Sequence, residues 1–509
     1  MQQFLRLTVL FTAGLVAAWL PAEELTIEVT SGSNLRLPCR IHLRDAKGKS
    51  IRSGQLPFWR DHFVCPGLAK VTVSPGLYTY EIERGPEYRP AKGELRMADG
   101  RDRKLSVRLQ RIAHLARRGW WSGELHVHRR LKEVPLHMRA EDLHVAPVIT
   151  WWNGRNEWKN RPSPKNTLAE PESNRFYDVM AGEDEREGGA LLFFGLKHPL
   201  PLPGGKRAFP EFPSPMKFVA LARKQKGVWI DIEKPFWWDT PVWLASGQID
   251  SIGLANNHMC RSQMYESEAW GNPRDAKRLP APRGNGFWTQ EIYYHILNSG
   301  LRVPPSAGSA SGVLPNPVGY NRVYVHTGSK AKLTYLDWWK GLKSGRSFVT
   351  NGPLLICRAN KQLPGHIFSA RQSIDITLDV EVTANDKVPV IEIIRNGRAI
   401  HQKLIPAGSK STAKTTLSFR KSGWFLVRAV ADNSKTFRFA STAPFYVEIG
   451  ATKHRVSRRS IQFFLDWLTI RAKRVRSKLQ DPAKLAQVLR HHDLARQFWR
   501  KKMEQANAQ

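Results

Sequence analysis

The chain has 509 residues, 41% of them apolar, with 18 Trp and 22 Phe; this exceeds what one hydrophobic core normally serves and predicts several folded domains. Four cysteines without CxxC spacing exclude a disulfide scaffold and a zinc finger. The formal net charge of +35 would point to nucleic acid in an intracellular protein, but the N-terminus argues for another setting.

Arg6, an apolar run over residues 7–20 and the small residues Ala18 and Ala22 form the pattern of a secretory signal over residues 1–22. The run of about 14 residues is shorter than the ~20 a spanning helix needs. Export sets nucleic acid aside and makes a small-molecule or saccharide substrate, an anionic one above all, or an anionic envelope surface the reachable partner. In an oxidising periplasmic or extracellular compartment Cys39 and Cys65, which share one predicted domain, could pair, whereas Cys260 and Cys357 lie far apart and read as buried thiols.

Residues 24–110 read as short strands separated by the turns Pro75-Gly76 and Arg84-Gly85-Pro86, which predicts a small β-sandwich. Residues 71–80 resemble carboxypeptidase-regulatory-like modules, which implies support rather than chemistry. From 115 to 355 apolar strands end in polar or ionisable residues and are separated by segments long enough for helices, which predicts a parallel sheet, open or closed into a barrel. Strand ends are expected at residues 124–128, 147–152, 191–195, 228–233, 249–258, 301–311 and 322–326. Over 356–450 the helical spacers vanish. Ile374, Ile376, Leu378, Val380 and Val382 alternate with polar residues and Asn396-Gly397 is a hairpin pair, so a second β-sandwich is expected. Residues 455–509 are basic and helical: Ile461, Phe464, Leu465 and Leu468 line one face, and Asp481-Pro482 opens a second helix. Such a tail either packs back on the body or meets an anionic envelope surface.

The most informative residues are Gly123-Glu124-Leu125-His126-Val127-His128. Residues i and i+2 of a strand share one face, so both imidazoles can reach one metal ion. Glu183, Asp231, Glu233 and His258 stand at neighbouring strand ends. Imidazoles with carboxylates suit Zn²⁺, Mn²⁺ or Fe and would make water nucleophilic near neutral pH. Trp151 and Trp152, with Trp229, Trp237, Trp238 and Trp243, offer stacking faces for sugar rings or fill the interior; Arg186 and Lys234 would favour an anionic group. No GxSxG elbow and no P-loop occurs.

The order of GxLHVH, the strand Pro147-Val148-Ile149-Thr150-Trp151-Trp152-Asn153, Ala181-Gly182-Glu183 and Ala307-Gly308-Ser309-Ala310-Ser311-Gly312 resembles the PHP superfamily of metal-dependent hydrolases, nearest its carbaryl-hydrolase-like (CehA/McbA) branch. The resemblance covers about 115–355. It implies a distorted (β/α)7 barrel, here flanked by two β-sandwiches and a helical tail, with His126, His128 and Glu183 as metal ligands. Trp151-Trp152 replaces Asp-His, Glu233-Lys234-Pro235 stands where relatives have His-Pro, and Ala310 and Gly312 replace an Asp and a His. Those losses imply one ion rather than three. Two functions follow from the resemblance. One is an exported hydrolase of ester, amide, carbamate or phosphoester bonds, with Asp231, Glu233 or His258 as further ligand or proton carrier and Trp151, Trp152, Arg186 and Lys234 around the substrate. The other is a catalytically degenerate, metal-free barrel serving as a carbohydrate-binding or envelope-interaction module.

Overall fold

The computed structural model describes residues 23–98, 101–203, 210–329, 331–404 and 410–509; the expected secretory signal, residues 1–22, lies outside them. The protein is multidomain and dominated by β-sheet. In the first unit Leu25, Ile27 and Val29 of strand Glu23–Thr30 point inward, because every second side chain of a strand faces the same way. That strand pairs with Leu68–Val73 and Arg103–Arg108 in a three-stranded sheet. A five-stranded sheet, in the order Phe58–Trp59, His62–Cys65, Cys39–Asp45, Gly76–Glu83 and Ala91–Met97, supplies Cys39, Ile41, Leu43, Phe63 and Ile82 to the same core.

The central unit is built on a sheet in the order Ile149–Trp152, Ala181–Arg186, Gly189–Phe194, Trp229–Ile232, Ser251–Ala255 and Pro305–Ala307, with the short strand Arg155–Asn156 hairpinned onto its first edge. Both ends of this series are bonded to one further segment, residues 124–128. Ile149 N donates to Val127 O (2.8 Å), Leu125 N to Ala307 O (2.9 Å) and His128 N to Ser311 O (2.8 Å), so the backbone pairing returns on itself.

Two expectations are corrected here. The strand Gly189–Phe194 runs antiparallel to both neighbours. Only Glu187 and Gly188 separate it from Ala181–Arg186, and a link that short makes a hairpin and cannot carry a crossover helix. Gly189, at φ +116°, takes a backbone conformation that side chains resist. Second, the strand Arg322–His326 belongs to a different sheet. It pairs with Trp120–Gly123 and Ser347–Thr350, in the nine-stranded sheet that also holds Gly423–Val430, Phe439–Thr442 and Phe445–Ile449. There is no break in that sheet at residue 355. Alternation explains the sharing: Val323, Val325 and Val349 point into the central core, while Tyr324 and Phe348, stacked at 4.9 Å, point into the core of the second sandwich. One sheet thus walls two cores. Its partner is the three-stranded sheet Leu354–Ala359, Ile374–Thr383 and Lys410–Phe419, from which Ile376, Leu378, Val380 and Val382 face inward.

The C-terminal helices Arg458–Lys478 and Pro482–Glu504 are capped by Ser457 and by Asp481, whose side chains accept from Ser460 N and from Ala483 N and Lys484 N. Ile461, Phe464, Trp467, Leu468 and Trp499 join the core of the central unit, and Trp499 Nε1 donates to Pro241 O at 3.0 Å. No helix among the described residues is long and apolar enough to cross a membrane.

Candidate metal centre

His126 and His128 project from the segment that closes the central ring, on the same side because they lie two apart. Glu183 comes from the strand next to Ile149–Trp152, in register with Trp152. Close approach of a glycine backbone shapes this corner. A Cβ on Gly308 would meet His126 Cβ at 2.4 Å, and one on Gly312, at φ +103°, would meet His128 O at 2.3 Å.

The three ligand groups meet at one point. His126 Nε2 lies 2.9 Å from His128 Nε2 and 3.4 Å from Glu183 Oε2, and His128 Nε2 lies 3.3 Å from the same oxygen. Ligands about 2.0 Å from a tetrahedral ion are about 3.3 Å apart, so the spacing fits one ion of zinc size. The other nitrogen of His126, Nδ1, is 3.3 Å from Glu233 Oε1. A carboxylate behind a histidine fixes its tautomer and turns the opposite nitrogen toward a metal. Glu233 is itself held by Trp237 Nε1 (2.9 Å), Asn257 Nδ2 (2.6 Å) and the Lys234 ammonium.

Two buried carboxylates with one lysine leave this pocket short of positive charge. Burial opposes a charge on His126, but Glu183 and Glu233 outweigh it and push its pKa up to about 10. Burial would raise Glu183, yet His126 and His128 hold it well below the carboxylate range. Glu233 is lowered to about 2, against its burial, by Lys234 and His126. His128 is lowered by burial and by the charge on His126.

Several other expected site residues are engaged by partners inside the protein. Trp151 is a core residue: it is buried, its Nε1 donates to Met180 O at 3.1 Å, and its ring fills the space a Cβ on Gly182 would need. Trp237, Trp238 and Trp243 are buried as well. The Arg186 guanidinium grips Asp184 at 2.6 and 2.7 Å and Pro213 O inside the protein. Lys234 is committed to Glu233 and stacks 4.5 Å over Trp237. Asp231 accepts from Ser251 and Ser306 hydroxyls, and burial pushes its pKa up to about 7. His258 lies between Phe236 and Tyr265 with Nδ1 on Ser267 O at 3.2 Å, and burial lowers it to about 3; it stands outside the ligand cluster. In each case a nearer hydrogen-bond partner or the hydrophobic core takes the side chain first. Trp152 remains at the site, half-buried, edge-on to His128 with ring centroids 4.6 Å apart, and Arg155 lies 4.8 Å over its ring.

One residue went unnoticed. Glu185 shares the strand face of Glu183 and is pushed up to about 8 by burial and by the Glu183 charge; the Glu-x-Glu spacing was its signal. A second His/Asp group, His42, Asp61 and His62, is explained without an ion. Arg40 Nε donates to His42 Nε2 at 3.1 Å, which leaves the proton on Nδ1 to face Asp61 Oδ2 at 3.1 Å, while His62 Nδ1 meets Asp61 Oδ1 at 2.9 Å. A cavity of about 700 Å³ between the two sandwiches and Arg261 is lined by Glu81, Glu83, Arg89, Asp386 and Arg438 and by none of the three ligands.

Gly308→Ala is expected to displace His126 and weaken metal binding by about 10–100-fold, the usual effect of disturbing a ligand's support. Titration with a competing chromophoric chelator measures it; unchanged affinity would refute the close-approach argument.

No family model matches the chain, and no curated protein matches. Among solved structures, fibronectin(III)-like modules of Clostridium thermocellum CbhA are 19% identical, with 18% of this chain and 96% of that one covered and a TM-score of 0.14. A CARDB domain from Pyrococcus furiosus, in complex with di-metal ions, is 16% identical over 19% of this chain and 94% of its own, with a TM-score of 0.14. Bacteroides uniformis beta-glucuronidase 3 is 10% identical, covering 82% of this chain and 60% of that one, with a TM-score of 0.15. At these scores the likenesses carry no argument about function.

Proposed function

We propose that the protein is an exported hydrolase of the PHP type, a distorted (β/α)7 barrel holding one divalent transition metal ion, Zn²⁺, Mn²⁺ or Fe²⁺, and cleaving an ester, amide, carbamate or phosphoester bond. The observation that carries this reading is the convergence of His126 Nε2, His128 Nε2 and Glu183 Oε2 with Glu233 behind His126. When bound, the ion supplies the Lewis acidity that makes water nucleophilic near neutral pH. His126, His128 and Glu183 hold it, and Glu233 keeps Nε2 of His126 aimed at it. Glu185, with its pKa near 8, carries a proton at pH 7 and is the group placed to pass one on. The substrate is a small molecule or a saccharide, and the exposed Arg459, Lys473, Arg476, Arg490 and Arg500 of the tail face an anionic envelope surface.

A second reading is favoured by a different observation. Trp152 stands over His128 where relatives carry a histidine ligand, and the three ligand side chains are only 2–5% exposed. That arrangement suits a degenerate barrel kept as a carbohydrate-binding or envelope-interaction module.

Metal content and its pH dependence decide between them. Without metal His126 is protonated at pH 7, since its pKa is about 10, so an ion arriving at Nε2 must displace a proton. Affinity should therefore rise with pH, by about tenfold per unit between 7 and 9, and fall as pH drops. Reconstituted protein should hold about one equivalent of Zn²⁺, Mn²⁺ or Fe²⁺. Retention of well under about a tenth of an equivalent would end the hydrolase reading and leave the binding module.

A further inference from the structure

We infer that Cys39 and Cys65 are joined by a disulfide in the exported chain, cross-linking the strand that docks the first sandwich onto the central unit. The inference takes its oxidising compartment from the export reading above.

The two cysteines are 26 positions apart in sequence, and their Sγ atoms lie 3.6 Å apart. They face each other directly in the antiparallel pair of Cys39–Asp45 with His62–Cys65. Opposed residues of such a pair have Cα atoms about 4.5–5.5 Å apart, inside the range of about 4.4–6.8 Å that a disulfide spans. Cys260 lies in the central unit and Cys357 in the core of the second sandwich, each buried, so neither competes.

Position gives the bond its use. Arg40, next to Cys39, donates to Glu83 of its own sheet and to Glu141 of the central unit, and Glu141 in turn faces Arg322 at 3.8 Å. A covalent tie at Cys39 restrains the strand that makes this interdomain contact, and it restrains the unfolded chain across the loop between the two cysteines.

The chemistry balances by thiol–disulfide exchange. As the domain folds, Cys65 loses its proton and attacks the disulfide of an oxidoreductase. Cys39 then displaces that protein from the mixed disulfide. Two thiols are oxidised to one disulfide, and the oxidoreductase leaves as a dithiol with both electrons and both protons. Both cysteines are fully buried, so the bond forms as the domain folds and is afterwards shielded from reductant.

The test uses the full chain directed to a bacterial periplasm by a heterologous leader, so that a failure of the chain's own export, or of metal binding, does not affect the result. Protein denatured without reductant should accept two iodoacetamide labels, on Cys260 and Cys357, and four after reduction. A non-reducing digest should yield a peptide pair joined through Cys39 and Cys65. Cys65→Ser, also labelled after denaturation and so independent of folding, should accept three. Four labels on the unreduced wild type, a cross-link to any other cysteine, or a single label on the variant would overturn the inference.

Discussion

Replacing His126 and His128 together with alanine is expected to reduce bound transition metal from about one equivalent to below about a tenth. The reason is geometric. Among the described residues the cluster that can hold an ion here consists of His126, His128 and Glu183, and the double substitution leaves a lone carboxylate. His258, Asp231 and Lys234 cannot step in, since each is engaged by its own partners. Any hydrolytic activity should vanish with the metal. Glu233→Gln should have a smaller effect, about 10–100-fold in affinity, because it weakens the aim of His126 without removing a ligand. Elemental analysis after reconstitution reads both variants. A double variant that keeps its metal would show that the ion, if present, sits elsewhere.

Arg471→Met should destabilise the protein by about 3–5 kcal/mol, the range seen when one partner of a buried ion pair is removed. The guanidinium reaches Glu211 through Nη1 (2.6 Å) and Nη2 and Asp239 through Nε (2.7 Å). Its side chain is 1% exposed, and those of Glu211 and Asp239 are 4% and 5%. The variant would leave two buried carboxylates without their cation, far costlier than losing a surface pair. Asp239 adds a pH signature. Burial would raise it, but Arg471 and His492 hold it below the usual carboxylate range. Its contribution is therefore present above the unfolded-state value of about 3.9 and is lost as pH falls toward its folded value. Denaturant melts at about pH 7 and about pH 2, on either side of the unfolded-state value, with limited proteolysis of residues 455–509, would check this. Wild type should lose stability between those pH values by more than the variant, and the variant's tail should be cut first. A variant within about 1 kcal/mol of wild type would overturn the claim that this triad anchors the helices.

The placement of those helices shows how far local pattern reaches. The spacing of Ile461, Phe464 and Leu468 announced an apolar face, and the cap of the second helix was legible from Asp481-Pro482. Nothing local indicated that the face would close on the central unit, or that Arg471, one basic residue among many, would be buried against Glu211 and Asp239. Periodicity reports that a face must be covered and is silent on what covers it.

Sequence alone determined what depends on near neighbours along the chain. Alternation in residues 374–382 made a strand with one buried face, and the spacing of His126 and His128 put both rings on one side, because both follow from the two-residue repeat of extended backbone. Partnership between distant segments was decided by tertiary structure. The hairpin at Gly189 reversed a strand whose composition is the same in either direction. Tyr324 and Phe348 carried an expected barrel strand into the sheet of the second sandwich. Trp151, Arg186, Lys234 and His258, chemically able to serve a substrate or a metal, were claimed by a core, by Asp184, by Glu233 and by Ser267. A residue type states which bonds a side chain can make. Which of them it makes depends on the group that folding brings nearest, and at Glu233 that group was the far nitrogen of His126.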